Sequence, residues 1–324
     1  MPLLTVRDLT VSLSREGARF RAVDAVSFDL EAGKTLAIVG ESGCGKTMTA
    51  LALLRLVPPV ARVEGGEVEL RGRDLLQLSE TEMQDVRGGE IGIIFQEPLT
   101  ALDPVYTVGE QVAEGLRRHA GLRRREAWRQ AVEQLHDVGI PDAGRRAHEY
   151  PHQLSGGMRQ RAMIATAVAC RPAVLLADEP TTALDVSVQA HILDLLRRLQ
   201  AERNMALLLI THDLGVVAEM ADEVAVMYAG HIVERAPAIA LFGQPAHPYT
   251  RGLLATVPRL THGERPPRLP SIGGVVPDLS CLPDTCRFAA RCPDGEPACQ
   301  QPIALAEVEP GHWVRCVCAR EVAA

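Results

Sequence analysis

One glycine-rich segment constrains this sequence more than any other feature. Residues 40–47 read Gly-Glu-Ser-Gly-Cys-Gly-Lys-Thr, which fits the pattern G-x-x-x-x-G-K-[ST]. The apolar run at residues 35–39 precedes the segment, and a helical pattern through residues 50–56 follows it. Between a strand and a helix, such glycines let backbone N–H groups converge on phosphate oxygens, and the helix N-terminus adds its partial positive charge. The segment therefore predicts a phosphate-binding loop.

The lysine in this loop is one of only two in the sequence. Lysine and arginine together number 34, and Lys34 and Lys46 are the lysines among them. Lys46 occupies the position of the pattern where a compact ammonium is preferred to arginine's planar guanidinium. We predict that Lys46 bridges the β- and γ-phosphates of a nucleotide and that Thr47 holds Mg²⁺. The predicted nucleotide contacts in the loop are Gly40, Ser42, Gly43, Cys44, Gly45, Lys46, Thr47 and Met48.

A later apolar run ends in two acidic residues. Residues 174–179 read Val-Leu-Leu-Ala-Asp-Glu. A strand that ends this way places Asp178 where it can bind Mg²⁺ through water, and it places Glu179 where it can polarise an attacking water. Such a strand is weak evidence alone, but it is strong evidence behind a phosphate loop. Together the two motifs predict hydrolysis of ATP.

Short apolar runs alternate with helical patterns along much of the chain. The runs lie at residues 35–39, 91–95, 174–177, 206–210 and 224–228. Continuous apolar strands separated by helices are typical of a mostly parallel sheet that is covered on both faces. The chain is therefore predicted to have an α/β core.

The segments outside this core have their own patterns. Residues 4–13 and 22–30 alternate apolar and polar positions, as half-buried antiparallel strands do. The stretch 99–170 is helix-like and too long for a plain connection, which predicts an inserted helical subdomain. Prolines and cysteines crowd the end of the chain and preclude long helices there. We expect one domain over residues 1–258 and a small extension over residues 259–324.

Composition excludes several classes of protein. Hydrophobic residues make up 47% of the chain and charged residues 23%, which excludes a disordered chain. A formal net charge of −7 gives no electrostatic case for nucleic acid as the main partner. The N-terminus reads as a strand and not as a signal peptide, and the apolar runs fall short of the roughly 20 residues that a membrane span needs. We therefore expect a soluble chain in a reducing cytoplasm.

The segment at residues 154–160, Leu-Ser-Gly-Gly-Met-Arg-Gln, resembles the signature of the ABC ATPases. Gln96 resembles that family's Q-loop glutamine, the Ala-Leu-Asp at residues 183–185 resembles its D-loop, and His212 resembles its switch histidine. The motifs follow one another in the order that the family has. The resemblance implies a P-loop NTPase (RecA-like) core with an antiparallel β subdomain, an inserted α-helical subdomain and a C-terminal extension.

The resemblance also implies roles for individual residues. Glu179, His212 and Gln96 are the implied catalytic residues, and Gln96 joins Thr47 and Asp178 at Mg²⁺. Family members work as head-to-tail dimers in which the signature of one chain faces the phosphate loop of the other. A second ATPase chain is therefore expected. The implied nucleotide contacts outside the phosphate loop are Asp178, Ser155, Gly156, Gly157 and Asp185.

Adenine is expected to stack on an aromatic side chain in the β flank. Phe28 lies in an alternating strand and is assigned to the core. Phe20 is the remaining aromatic residue before the phosphate loop, and it lies in a segment, residues 14–21, that is predicted to be a loop. Phe20 is therefore the predicted stacking partner.

Three further stretches resemble the ATPase subunits of oligopeptide and dipeptide importers. They are residues 96–104, 180–189 and 247–250, the last reading His-Pro-Tyr-Thr. The resemblance implies a motor for di- or oligopeptide uptake that lies on the cytoplasmic face of the inner membrane. The implied partners are a second and different ATPase, two membrane permeases and, indirectly, an external solute-binding protein. Nickel, glutathione or another small solute stays open as cargo, as does a soluble ABC ATPase that does not transport.

Six of the eight cysteines fall after residue 280. A reducing cytoplasm disfavours disulfides between them. The spacing of Cys286, Cys292, Cys299 and Cys316 is wider than in most structural zinc sites, and the choice of ligand alone does not separate zinc from an iron–sulfur cluster. The resemblance to the peptide importers favours a [4Fe–4S] cluster on these four residues, with zinc or an empty site as alternatives. Cys318 could replace the last of the four.

Overall fold

The chain is described by a computed structural model over residues 2–15, 18–182, 184–257 and 271–319. Ala183 of the predicted D-loop and residues 258–270 and 320–324 of the predicted extension lie outside these ranges. The chain divides into two compact units. The helical unit comprises Met1–Leu4, Leu30–Thr35 and Leu70–Ile210. The phosphate-loop unit comprises Thr5–Asp29, Leu36–Glu69 and Thr211–Ala324.

Strands and helices alternate through much of the chain. The strands are β1 (Leu4–Arg15), β2 (Ala18–Leu30), β3 (Thr35–Val39), β4 (Ala61–Leu70), β5 (Arg73–Asp74), β6 (Ile91–Ile94), β7 (Val174–Asp178), β8 (Ala206–Ile210), β9 (Glu223–Tyr228), β10 (His231–Pro237), β11 (Ala306–Glu309) and β12 (His312–Val314). The helices are α1 (Lys46–Leu53), α2 (Glu80–Val86), α3 (Pro98–Ala101), α4 (Val108–Ala120), α5 (Arg124–Asp137), α6 (Ala143–Arg146), α7 (Gly156–Val168), α8 (Val186–Arg203), α9 (Leu214–Met220), α10 (Ala238–Gly243) and α11 (Pro248–Ala255). The predicted α/β class is confirmed.

The helical unit contains a parallel sheet. Strand β7 pairs in parallel with β6 on one side and with β8 on the other. All five residues of β7 and of β8 are buried, as the apolar runs at residues 174–177 and 206–210 predict; Asp178, which ends β7, is buried as well. Because the strands are parallel, the residues that follow β6 and β7 emerge at the same edge of the sheet. That edge carries Gln96 and Glu179.

Helices fill the sequence between β6 and β7. Helix α4 begins at Val108 because the Thr107 hydroxyl accepts the N–H of Glu110, and it ends at Gly121, which has a φ of 65°. Apolar positions at helical spacing, Val112 and Leu116 among them, are buried, while arginine and glutamate cover the exposed face. The arginine-rich stretch of the sequence is thus the solvent-facing side of helices.

The phosphate-loop unit contains mixed pairing. Strand β3 pairs in parallel with β9, and β9 pairs antiparallel with β10. The last two strands continue outwards: β12 pairs antiparallel with β10 at Glu234 and Arg235, and β11 pairs antiparallel with β12. In a separate sheet, β1 lies between β2 and β4. The C-terminal extension is thereby built onto the sheet that carries the phosphate loop.

Several expected boundaries differ from those in the structure. The prediction of a loop over residues 14–21 was wrong, because β1 continues to Arg15 and β2 begins at Ala18. The predicted helix over residues 50–56 instead spans Lys46–Leu53. It ends early because Arg55 has a φ of 53° and two prolines follow at positions 58 and 59.

Part of the cysteine-rich extension is buried. Val314, Cys316 and Ala319 form a small buried cluster, and Phe288 is 2% exposed. The extension achieves this burial by pairing β12 with β10 instead of folding alone. Its proline-rich part forms short 3₁₀ turns at Leu279–Cys281, Ala289–Arg291 and Pro297–Gln300.

Candidate nucleotide-binding site

The loop between β3 and α1 has the backbone geometry of a tight anion-binding turn. Gly40, Gly43 and Gly45 have φ values of 153°, 78° and 110°. A Cβ atom at Gly40 would lie 2.1 Å from the carbonyl oxygen of Met227, and one at Gly45 would lie 2.4 Å from that of Ala22. Glycine is therefore required at both positions on grounds of conformation and space.

Lys46 is the first residue of α1, and its side chain folds back over the loop. It is 6% exposed, and its Nζ donates hydrogen bonds to the carbonyl oxygens of Gly40 at 2.8 Å and Glu41 at 3.1 Å. The remaining loop residues differ in exposure: Ser42, Gly43 and Thr47 are exposed, whereas Cys44 is buried and Met48 is half-buried. A buried ammonium among the backbone groups of a glycine-rich loop can bind the phosphate chain of a nucleotide.

Cys44 contacts Lys46 within the loop: its Sγ accepts a hydrogen bond from Nζ of Lys46 at 3.8 Å. Its thiol is 1% exposed, and burial raises its pKa. Its carbonyl oxygen accepts the N–H of Gly230 at 2.9 Å, which ties the loop to the turn between β9 and β10. The backbone of Cys44 therefore fixes the loop, and its side chain packs in the protein interior.

The helical unit brings together two of the predicted catalytic residues. Gln96 follows β6, and its Nε2 donates a hydrogen bond to Glu179 Oε2 at 3.3 Å. The hydroxyl of Thr182 donates to the same oxygen at 2.7 Å. Asp178 ends β7 and is 4% exposed. The two adjacent acids thus differ: Asp178 is enclosed, and Glu179 has a carboxylate that two donors hold at the edge of the sheet.

Glu179 also has an unusual backbone. Its φ is 48°, in the left-handed region that non-glycine residues seldom occupy, and its N–H donates to the carbonyl oxygen of Ile210 at 2.8 Å. Strained backbone of this kind is concentrated at functional sites, where the surrounding structure holds it in place. The conformation supports a functional role for this glutamate.

The signature segment places backbone amides at the start of a long helix. Ser155 is the N-cap of α7, and its hydroxyl accepts the N–H of Met158 at 3.3 Å. Ser155 and Gly156 are exposed, and Gly157 is half-buried. Asp185 similarly caps α8, with its Oδ1 accepting the N–H of Val188 at 2.9 Å. Ser155 and Asp185 thus have helix-capping roles in addition to any contact with nucleotide.

Two further predicted residues lie in the phosphate-loop unit. His212 is exposed and lies between β8 and α9. Phe20 is half-buried and lies near the start of β2. Phe28, assigned to the core, is 0% exposed. The stacking role of Phe20 stays a prediction.

Sequence reasoning missed three residues around the second position of the loop. The backbone N–H of Glu41 donates to the hydroxyl of Tyr249 at 3.0 Å, and the Glu41 carboxylate forms two hydrogen bonds with Arg291. Tyr249 belongs to the His-Pro-Tyr-Thr stretch, so the sequence marked the residue but gave it no role. Arg291 directly precedes Cys292, and sequence reasoning assigned no role to it.

The cysteines of the extension interact with one another. Burial raises the pKa of Cys286, and the thiols of Cys299, Cys316 and Cys292 raise it further. Burial likewise raises the pKa of Cys292, with contributions from Cys316 and Cys299. Within the part of the chain that the structure describes, no group of three or more His, Cys, Asp or Glu residues is arranged to hold a metal ion. The donor set is chemically suited to a soft metal, but these positions are not those of a formed metal site.

Two family models match this chain. The ABC transporter model matches residues 23–182, and the model of the oligopeptide/dipeptide transporter C-terminal region matches residues 233–299. A probable peptide ABC transporter ATP-binding protein of Sinorhizobium fredii is 51% identical over 99% of this chain and 96% of its own length. The chain belongs to the family of ABC transporter ATP-binding proteins. A putative peptide import ATP-binding protein of Brucella melitensis is 48% identical over 100% of this chain and 99% of its own length.

Solved structures agree with this family assignment. The dimeric ATP-binding cassette MJ0796, in a post-hydrolysis state bound to ADP and Pi, matches with a TM-score of 0.65 and 27% identity, over 72% of this chain and 98% of that one. The cassette cbiO1 from Clostridium perfringens matches with a TM-score of 0.63 and 25% identity, over 75% and 91% of the two chains. The predicted P-loop NTPase core is therefore the fold of an ABC transporter ATP-binding protein.

Among the described residues of this ABC transporter ATP-binding protein, no helix combines the length and the apolar character needed to cross a bilayer.

Proposed function

We propose that this chain is the ATP-hydrolysing motor subunit of an importer for di- or oligopeptides. The observation that carries the proposal is the likeness over nearly the whole chain, extension included, to peptide-import ATP-binding proteins at about half identity. The phosphate loop, with Lys46 buried among its backbone groups, supports ATP as the nucleotide that the chain hydrolyses.

The proposed reaction is attack of water on the γ-phosphorus of ATP, which breaks the bond to the β–γ bridging oxygen and releases ADP and inorganic phosphate. Lys46 and the amides of the phosphate loop bind the phosphates, and Thr47, Gln96 and Asp178 are suited by their oxygens to hold Mg²⁺. Mg²⁺ supplies neutralisation of the phosphate charge when it is bound. Glu179 accepts the proton of the attacking water, and the hydrogen bonds that it receives orient its carboxylate.

Further residues are assigned by their motifs. His212 senses the γ-phosphate as the switch histidine, and Phe20 stacks on adenine. The exposed amides of Ser155, Gly156 and Gly157 bind the ATP held by a partner chain, because the N-terminus of α7 is a second site of oriented N–H groups. Asp185 lies at the same predicted dimer surface.

The proposed assembly contains a second ATPase chain that differs from this one. The sequence holds one phosphate loop and one signature, so the head-to-tail arrangement needs a partner that supplies the complementary set. The similar cassette MJ0796 is described as dimeric, which supports a dimer here. Native mass spectrometry of the purified complex distinguishes a heterodimer from a homodimer.

We assign the contact with the permeases to a face of the helical unit. Val105 and Tyr106 are 70% and 55% exposed, although apolar side chains of this size are usually buried. They border a hollow of about 680 Å³ that also contains Trp128 and Tyr150. Such aromatic hollows suit an inserted helix or loop of a partner. This contact would place the chain at the cytoplasmic face of the inner membrane as a peripheral subunit.

Reconstitution with its permeases and binding protein tests the proposed cargo. We expect ATP-dependent uptake of a labelled dipeptide or oligopeptide into vesicles. Uptake of nickel or glutathione in place of peptide would redirect the assignment to another solute. ATPase activity that no permease stimulates would instead indicate a soluble ABC ATPase outside transport.

A surface variant serves as the matched control. Tyr106→Asp places a charge on the assigned permease surface, and it leaves the described contacts of Lys46 and Glu179 in place. We expect it to abolish peptide uptake while the basal ATPase activity of the isolated chain stays within about twofold of the unmodified chain, since an exposed substitution has little effect on stability. An unchanged rate of uptake would contradict the assigned surface.

We further propose that Cys286, Cys292, Cys299 and Cys316 bind a metal group, with a [4Fe–4S] cluster favoured over zinc. Burial and the neighbouring thiols raise the pKa of Cys286 and of Cys292, which disfavours their thiolates until a cation compensates the charge, so metal binding would relieve this penalty. The group, when bound, would cross-link the extension. No step of ATP hydrolysis depends on it.

Anaerobic purification tests this site. The chain should be brown and should contain about four iron and four sulfide ions per molecule. Cys286→Ser should lose the colour, whereas the matched variant Cys281→Ser should retain it, because Cys281 is exposed and lies outside the predicted set. A colourless preparation loaded with zinc would contradict the cluster.

A further inference from the structure

The phosphate loop contains an acidic residue that should oppose its function. Glu41 is the second residue of the loop, between Gly40 and the exposed Ser42. If residues 40–47 bind ATP as proposed, a carboxylate on the same loop repels the nucleotide's phosphates. The position therefore needs a compensating cation.

The C-terminal extension supplies that cation. Arg291 approaches the Glu41 carboxylate with both terminal nitrogens: Nη1 lies 2.7 Å from Oε2 and Nη2 lies 3.0 Å from Oε1. The Arg291 side chain is only 5% exposed and that of Glu41 28%. A bidentate pair of this kind fixes orientation as well as charge. The hydrogen bond to Glu41 also raises the pKa of Arg291, so the cation is retained at every physiological pH.

Aromatic side chains hold the guanidinium in place. The Arg291 Cζ atom lies 5.7 Å from the centre of the Tyr228 ring and 5.9 Å from that of Phe288, both within the range of cation–π attraction. Its Nε donates to the carbonyl oxygen of Gly273 at 2.8 Å. These contacts pre-organise Arg291.

The backbone of Glu41 is held independently. Its N–H donates to the hydroxyl of Tyr249, a residue that is 0% exposed and whose ring lies 4.7 Å from that of Tyr228. The second position of the phosphate loop is thus fixed at the amide by α11 and at the carboxylate by the extension. The pair joins residues 250 positions apart in the sequence.

Docking of the extension does not depend on this pair. Arg287 of the extension forms a buried ion pair with Asp24 and donates to the carbonyl oxygen of Ala229 at 2.7 Å. His312 pairs with the fully buried Glu234 at 2.7 Å, and β12 pairs with β10. Several buried contacts therefore hold the extension, which leaves the Arg291–Glu41 pair available for a different role.

We propose that Arg291 is a positioning residue for ATP, which neutralises Glu41 and holds the phosphate loop in its binding conformation. The proposal rests on the assignment of residues 40–47 as the ATP site. Through Arg291, the C-terminal extension sets the ATP affinity of the loop to which it is attached.

Equilibrium binding of MgATP to the full-length chain tests the proposal. Arg291→Ala should raise the Kd for ATP about tenfold, because it leaves the Glu41 charge uncompensated beside the phosphates. Arg291→Lys retains a cation and should stay within about threefold of the unmodified chain. Glu41→Gln removes the charge itself, so adding Arg291→Ala to that variant should change the Kd less than about threefold.

Two reference variants make the result decisive. Arg251→Ala breaks a different ion pair, between α11 and Asp294 of the extension, in which both side chains are exposed and neither contacts Glu41 in a described hydrogen bond or ion pair; its Kd should equal that of the unmodified chain. Lys46→Ala reports on the ATP site itself. A normal Kd in Arg291→Ala, when Lys46→Ala binds ATP much more weakly, would overturn the role of Arg291 while the ATP site stands. Equal losses in Arg291→Ala with and without Glu41→Gln would indicate a structural role only, whereas unchanged binding in Lys46→Ala would refute the ATP site.

Discussion

Replacing Glu179 with glutamine is expected to preserve MgATP binding and to lower ATP turnover about 10²- to 10⁴-fold. The amide is nearly isosteric with the carboxylate and can still accept hydrogen bonds from Gln96 and Thr182. The amide cannot take a proton from the attacking water, so only the rate of the hydrolysis step is lowered. Phosphate release under saturating ATP measures the effect, and a binding titration on the same sample confirms that the nucleotide site is intact.

The control for this variant is Glu114→Gln. Glu114 is an exposed residue of α4, so its change removes the same charge without touching the edge of the sheet where Glu179 lies. Turnover should be unchanged in this control. Near-normal hydrolysis in Glu179→Gln would show that another group accepts the proton.

Replacing Lys46 with alanine is expected to raise the Kd for MgATP on the order of 100-fold, or about 2.8 kcal/mol. The ammonium is 6% exposed and lies amid the carbonyl oxygens of the loop, so a bound phosphate would meet it away from bulk water, where a charge-assisted hydrogen bond is strong. Lys46→Arg keeps the charge but presents a planar fork in a space shaped for a compact group, and we expect it to bind weakly too. Titration with a fluorescent ATP analogue measures both constants.

The scarcity of lysine provides a matched control. Lys34→Ala changes the other lysine of the chain, which is exposed in the turn before β3 and lies outside the phosphate loop. Its Kd should equal that of the unmodified chain. Tight binding in Lys46→Ala would contradict the assignment of residues 40–47 as the phosphate site.

The sequence predicted those parts of the site that are local in the chain. The phosphate loop, the acids at the end of β7 and the capped start of α7 each lie within one short segment, so spacing and residue type were enough. Gln96 and Glu179 could be paired as well, because parallel strands bring their following residues to one edge.

The parts that depend on distant contacts could not be predicted. The hydroxyl of Tyr249 meets the N–H of Glu41 across 208 positions, and no periodicity encodes such a contact. The pairing of β12 with β10 was not predicted either, because it joins residues as distant in the sequence as Glu234 and Val314. Strand β2 begins at Ala18, inside the predicted loop, because its pairing with β1 outweighs the polar character of the segment.

The pairing of β12 with β10 has a consequence for any shortened form of the chain. A chain that stopped after α11 would turn β10 into an edge strand with open N–H and C=O groups at Glu234 and Arg235. It would also uncover the rings of Tyr228 and Tyr249, against which Phe288 packs. Truncation would thus expose an unpaired strand edge next to aromatic side chains. We expect the shortened chain to self-associate and lose solubility before any catalytic defect can be observed.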